Sequence, residues 1–493
     1  MTKEIDQEEV AKRFIQQGQL EKAAEIYKEL IANGSKNNIV YSNLAAISGM
    51  QGKTEEMIEL LNQSIEIKPD FPSAYYNLGL CYREKGDRKS AIKNFCKAIK
   101  LKQNYLNAYN NLGLTLKEEG NINEAIITFK TANKLDISNL NIINNLGLCL
   151  LKRGDIEDAI LTFYSGIKIN QNFPECFYNL GLALYEKGDF DSAINSIQRA
   201  IYLKNDYYVA YNFLGSIFKE TGDLKASFQS FRKAISLQPK SFDAHHNLGV
   251  TLYYLGELDS AVDSFCDALK INPYHIQSYN VLGNTYKEKG KFYDAMNSYN
   301  KALDINPNDP SSHWNKANLN LLLGNYDEGW IGYEWRWERK DSPKSHAEPK
   351  LEKLKGNILQ SSELILIVSE QGLGDTLQYM RYIPYLRNQG IDVSFCAQEK
   401  LHPLIINSGI DSNPLTPEQT NNVLEGQWIP LLSLPRYLQI NPKNPIITEP
   451  YISTTNELLH KWRDILSKEK KPIVGINWQG NQNAEKNNLK GRS

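Results

Sequence analysis

Apolar and small residues return along this chain every 34 positions. A bulky apolar residue stands at Tyr27, Phe95, Phe129, Phe163, Phe231, Phe265 and Tyr299. Ahead of it runs a ladder of Ala23, Ala91, Ala125, Ala159, Ala193, Ala261 and Ala295, with Met57 and Ser227 as exceptions. A second small-residue ladder passes through Ala11, Ala45, Gly79, Gly113, Gly147, Gly181, Gly215, Gly249, Gly283 and Ala317. Behind it lies a ladder of glycine alone: Gly18, Gly52, Gly86, Gly120, Gly154, Gly188, Gly222, Gly256, Gly290 and Gly324. Unbroken register over that span predicts a repeat array with one helix–turn–helix per unit. The glycine-only ladder suits a left-handed residue ending each first helix. Asp87, Asn121, Asp155, Asp189, Asp223 and Asn325 follow it and are placed to cap each second helix. The small residues let paired helices approach closely, and the bulky residue is expected to fill the gap between one pair and the next. Pro69, Pro239, Pro273 and Pro307 close their units. Such a unit cannot bury its apolar face alone and must stack.

Tyr75, Leu78, Gly79, Tyr82, Ala91, Phe95 and Ala98 fit the tetratricopeptide motif one by one, and the chain resembles that family from about Glu4 to Trp337. The resemblance implies a right-handed superhelix whose first helices line a concave face that binds a protein or peptide. Two residues before the second ladder, asparagine recurs at Asn43, Asn77, Asn111, Asn145, Asn179, Asn247 and Asn315, interrupted by Phe213 and Val281. A row of carboxamides matches the backbone of an extended peptide. The alternative is that these side chains bond from helix to helix.

The array ends in Gly329-Trp-Ile-Gly-Tyr-Glu-Trp-Arg-Trp337, with Trp330, Tyr333 and Trp337 on one expected helix face. Arg336 stands where a small residue is usual. This cluster reads as an end cap docked on the next domain, or as an aromatic platform for sugar. The polar stretch Glu338 to Ser362 reads as a linker or edge loop.

After Ser362 the period changes. Leu364 to Val368 is a buried-strand run, Gln371-Gly-Leu-Gly-Asp375 a tight turn, Thr376 to Arg387 a helix, and Val393 to Cys396 a second strand. That order predicts a parallel βαβ unit. Leu401 to Ile406 predicts another helix, and Trp428 to Leu432 and Ile473 to Trp478 further strands. Gly372 and Gly374 do not complete a dinucleotide fingerprint. Asp375 has two readings: an N-cap, with Gln378 completing a capping box, or a general base at the carboxyl end of the first strand.

Ser369 to Asp375, followed by Arg381-Tyr-Ile-Pro384, is similar to the opening of heptosyltransferase-like glycosyltransferases. Bacterial fusions of tetratricopeptide repeats to such domains look alike at Gly329 to Trp337, at Pro430 to Pro435 and at Gly475 to Asn481. The arrangement is also similar, in architecture only, to nucleocytoplasmic O-linked N-acetylglucosamine transferases. The resemblance implies a GT-B fold of two Rossmann halves with inverting transfer from a nucleotide-sugar. Asp375 is then the base, with Gln371, Gly372 and Gly374 in the acceptor loop and Lys490 and Arg492 as phosphate contacts. The expected divisions are 4–337 for the array, 338–362 for the linker, 363–466 for the first Rossmann half and 467–493 for the start of the second. The sequence ends there, so the donor-binding half is expected to be missing and the chain to be inactive alone. The competing reading is a non-catalytic interaction scaffold.

Composition narrows the partners. Lys+Arg is 56 against Asp+Glu 57, a formal net charge of -1, which leaves no electrostatic footprint for nucleic acid or anionic membrane. No apolar run reaches the length of a membrane span and the N-terminus has no apolar signal region. The six cysteines form no CxxC pair. Reduced thiols in a cytoplasmic protein are expected. His245 and His246 are adjacent on one helix and cannot chelate together. No metal or other cofactor is expected.

Overall fold

The computed structural model describes residues 2–356, 359, 364–370, 372–446, 451–453 and 455–466. The chain divides into two compact units, Met1–Asn272 and Pro273–Ser493. The first unit is helical throughout. Its pairs begin with α1 (Thr2–Gln16) and α2 (Leu20–Ala32), then α3 (Asn38–Met50) and α4 (Thr54–Ile67). Next come α5 (Pro72–Glu84) and α6 (Arg88–Leu101), then α7 (Leu106–Glu118) and α8 (Ile122–Leu135). They are followed by α9 (Leu140–Arg153) and α10 (Ile156–Ile169), then α11 (Pro174–Glu186) and α12 (Phe190–Leu203). The last two pairs are α13 (Tyr208–Glu220) with α14 (Leu224–Leu237), and α15 (Phe242–Leu255) with α16 (Leu258–Ile271). Stacked in this way the pairs form a superhelix. First helices of successive pairs, such as α7 and α9, approach one another more closely than second helices do, so the first helices face inward.

Two local rules repeat. All ten glycines of the glycine-only ladder have positive φ, from 70° at Gly290 to 97° at Gly154. At Gly154 a Cβ would meet nothing within 4 Å, so the demand is conformational. The Asp155 N–H reaches back to the Leu150 carbonyl at 3.0 Å, which closes a Schellman turn. The second rule is close approach. A Cβ on Gly147 would lie 2.4 Å from the Phe163 ring, and one on Gly113 2.5 Å from the Phe129 ring. The fully buried rings therefore sit on a glycine of their own pair, rather than in the gap between pairs that the pattern predicts. The capping expectation holds at three positions. Asp87, Asp189 and Asp223 accept from Ser90, Ser192 and Ala226 N–H. Asn121 and Asn325 make no side-chain cap, and the Asp155 carboxylate is taken by Arg153.

The second unit opens with two more pairs, α17 (Ile276–Glu288) with α18 (Phe292–Ile305) and α19 (Pro310–Leu322) with α20 (Tyr326–Tyr333). A tighter 3-10 turn, Glu334–Glu338, follows α20, so Trp337 leaves the α-helical face predicted for it. Then come β1 (Leu364–Val368), α21 (Leu373–Tyr379), α22 (Tyr382–Asn388), β2 (Asp392–Cys396), α23 (His402–Asn407), β3 (Gln427–Pro430), α24 (Leu434–Tyr437) and α25 (Asn456–Leu466). The expected single helix from Thr376 to Arg387 is two, because Pro384 cannot donate to the carbonyl four residues back.

The sheet is parallel, ordered β2-β1-β3, with Ile367 level with both Phe395 and Ile429. Ile365, Ile367, Phe395 and Ile429 pack with Met380, Ile383 and Leu386 on one face. Leu366, Val368 and Cys396 pack with Ala347 and Leu351 on the other. The stretch after the array thus covers a sheet face, and its Lys353 bridges to Trp428. The predicted strand Ile473 to Trp478 lies outside the described residues.

Candidate functional site

Chain order places β2 on one side of β1 and β3 on the other, so the connections diverge at β1. In open α/β sheets ligands bind in the crevice at the carboxyl ends of strands at such a point. Glu370, just past β1, is buried there and accepts the Leu432 N–H from the turn after β3 at 3.0 Å. Arg336 enters the same place from the turn after α20, 2 % exposed. It grips Glu370 with two bonds of 3.1 and 3.0 Å, and donates to Glu334 and Ser433 at 2.8 Å each. Ser433 donates on to Glu334 at 2.7 Å. The guanidinium lies 4.7 Å from the Tyr333 ring centroid and 5.1 Å from that of Trp337. Burial pushes the Glu370 carboxyl up against the pull of Arg336. Burial also acts upward on Glu334, but Arg336 and Ser433 together hold its carboxyl below the ordinary carboxylate range.

Asp375 lies one helical turn beyond. Gly372 is the N-cap of α21, and the Asp375 carboxylate accepts the Gly372 N–H. Asp375 is therefore the residue that reaches back from the third helical position, not the N-cap, and Gln378 completes no capping box with it. Neither Gly372 nor Gly374 has positive φ; the expected tight turn is the first turn of α21. Half-burial pushes the Asp375 carboxyl up, opposed by that N–H. Its charge also acts on two neighbouring phenols, Tyr333 and Tyr379, both raised chiefly by burial, Tyr379 to about 12. Beside the turn, a cavity of about 440 Å³ is lined by His346, Leu373, Gln398, Lys400 and Glu418. Gln371, Lys490 and Arg492 lie outside the described residues.

The tryptophan cluster is in use structurally. Trp330 donates to the Ile440 carbonyl at 2.9 Å, Trp335 stacks on His313 at 4.1 Å, and Arg339 lies 4.1 Å from the Trp314 ring centroid. Arg336, Glu370, Glu334 and Ser433 form a cluster that the pattern did not point to. The one available signal was an arginine at a position that every other unit but the first, with Leu30, gives to a small residue.

The asparagines behave as links between repeats. Asn145 donates to Asn110 at 3.1 Å, Asn179 to Asn144 at 2.6 Å and Asn315 to Asn280 at 3.4 Å. Asn43 and Asn111 donate to the Tyr27 and Tyr76 hydroxyls, each at 3.1 Å. Asn111 also accepts from Arg83, and Asn247 from Lys219 at 3.0 Å. Asn77 is half-buried. Among the described residues no cluster of metal-ligating side chains occurs, and no helix is long and apolar enough to cross a membrane. All six cysteines are free thiols.

These features define a helical-repeat protein carrying a small parallel α/β portion. Models of the tetratricopeptide repeat match residues 50–86, 149–188, 215–256 and 283–324, then 72–105, 106–137 and 242–275, and also 174–207. The array is made of tetratricopeptide repeats, which makes the chain a protein–protein interaction scaffold. No curated protein matches the sequence. Among solved structures it is similar to YrrB, described as a TPR protein with an unusual peptide-binding site. Identity is 22%, over 38% of this chain and 96% of that one, with a TM-score of 0.35. It is similar to MamA at 28% identity, over 33% and 95%, TM-score 0.31. A tetratricopeptide repeat protein from Parabacteroides merdae is 18% identical over 51% and 98%, TM-score 0.41.

Proposed function

We propose that the array recruits a protein or peptide and that the α/β portion handles it as the acceptor in an inverting glycosyl transfer from a nucleotide-sugar. The observation that carries this reading is Asp375: a carboxylate with a raised pKa past the carboxyl end of β1, near Tyr333 and Tyr379, on a helical turn whose Leu373 lines a cavity. A base that accepts a hydroxyl proton works best when its pKa is lifted toward the working pH. The hydroxyl oxygen then attacks the anomeric carbon while the nucleotide leaves from the opposite face.

A second reading is a scaffold without chemistry. It is favoured by Arg336, which fills the crevice where a ligand would sit with a closed ion network. One experiment separates the two. The chain is added, with a labelled nucleotide-sugar, to an extract of its source cells, and the proteins it captures are analysed. Transfer predicts label on a captured protein with the native chain and none with Asp375→Asn, which captures the same protein. Capture without label from either chain leaves the scaffold.

A further inference from the structure

Two neighbouring outer helices of the first unit carry opposite charge in matched positions. The exposed stripe of α4 holds Glu55, Glu59 and Glu66, and that of α6 holds Lys89, Lys93 and Lys100. Each lysine follows its glutamate by 34 residues, so the six charges occupy the same three levels of consecutive repeats. Glu55 meets Lys85 at 2.8 Å yet stays 82% exposed. Glu59, Glu66, Lys89, Lys93 and Lys100 enter no ion pair among the described residues. An acidic and a basic stripe thus lie side by side on the outer face, largely unneutralised.

We infer that this face docks a second copy of the same chain. A two-fold axis parallel to the helices and midway between them sets α4 of one copy over α6 of the other, and the reverse. It preserves the levels, so Glu55, Glu59 and Glu66 of each copy meet Lys89, Lys93 and Lys100 of the other. An axis perpendicular to the helices sets like charge on like, so only one isologous arrangement is attractive. Asn62, at the level between Glu59 and Glu66, then faces Cys96, which is exposed. Each helix has 14 residues, about 21 Å of length. A contact of two such helices per copy is smaller than a standard permanent interface. The association is therefore reversible and carried by charge, and salt weakens it.

The test uses the full chain in sedimentation velocity. The native chain forms dimers at low ionic strength, and its dissociation constant rises at least about tenfold in 0.5 M salt, where the screening length is near 4 Å. Glu59→Lys alone and Lys93→Glu alone are monomers with unchanged helical circular dichroism. Mixed one to one they dimerise, because each supplies the charge that the other lacks, and the double variant E59K/K93E dimerises with itself. A maleimide cross-linker joins Asn62→Cys of one copy to Cys96 of the other. A native chain that stays monomeric at low salt overturns the inference. So do single variants that still dimerise, and so does a mixture that fails to pair. Binding of polyglutamate to the lysine stripe without dimerisation would assign the face to an acidic partner instead.

Discussion

In the helical pairs of residues 1–272, burial is solved sixteen residues at a time: the Phe163 ring lies on Gly147, and the same fit recurs from pair to pair. In the α/β portion, the contacts that close the structure span far more chain. Arg336 bonds Ser433 across 97 residues, Trp330 bonds Ile440 across 110, and Tyr437 bonds Leu354 across 83. The array repeats one local fit that any single pair shares with its neighbours. The α/β portion rests on a few unrepeated polar contacts, each without a substitute. Damage should therefore stay local and moderate in the first region and be severe in the second.

The severest expected break is Arg336→Ala. It leaves Glu370 buried with no cation and Glu334 with only Lys353, 3.8 Å away, a loss of about 3–5 kcal/mol. Cys396, fully buried with a thiol pushed up to about 12, reports that region; Cys149 and Cys176, also fully buried, report the array. Reaction of Cys396 with a thiol reagent should accelerate about 100-fold or more, at 1.4 kcal/mol per tenfold, while Cys149 and Cys176 keep their rates. Equal acceleration at all three would mean that the two regions open together.

Gly147→Ala comes next, at about 1–3 kcal/mol, because the new methyl overlaps the Phe163 ring. Adding Phe163→Leu should recover part of that loss in a denaturant melt. Gly154→Ala, at φ 97° with open space around it, should cost about 1–2 kcal/mol and gain nothing from Phe163→Leu. A common rescue of both would abolish the distinction between packing and conformation.

Asp87→Ala removes a cap bond and should cost about 1 kcal/mol in the same melt. Asp155→Ala removes an exposed contact with Arg153 and should stay within about 0.5 kcal/mol. The smallest effect is expected at Asp375. Its folded carboxyl is raised, so the ionised form is disfavoured in the fold. Stability then falls as pH rises from its ordinary range, near 3.8, through the raised value. Asp375→Asn should be slightly more stable than the native chain at pH 7 and indistinguishable from it at pH 3. Equal stability at both pH values would remove the burial argument for this carboxylate.

Much of the array was legible because its rules act within one pair. Positive φ at Gly154 and close approach at Gly147 each leave a glycine at a fixed spacing. The caps were half legible: an aspartate at the right position does not reveal that Arg153 will compete for it. The asparagine row was visible with two uses, a peptide track or bonds from helix to helix; the sequence did not name the acceptors Asn110 and Asn144, which sit one repeat away. At the α/β site, the sequence points to Asp375 but not to Gly372 as the N-cap in place of Asp375, and gives no sign of Glu370. A glutamate beside a glycine-rich turn looks solvated until its partner arrives from a different segment.

What the sequence by itself determined is the repeat: unit length, helix pairing, turn glycines and the strand–helix–strand order that follows, all dictated by backbone conformation and side-chain size over short spacings. Only the tertiary structure decided that the ring packs within its own pair and that Arg336 closes the crevice beside Glu370. Burying a charge requires a counter-charge brought close in space, and spacing along the chain does not encode that proximity.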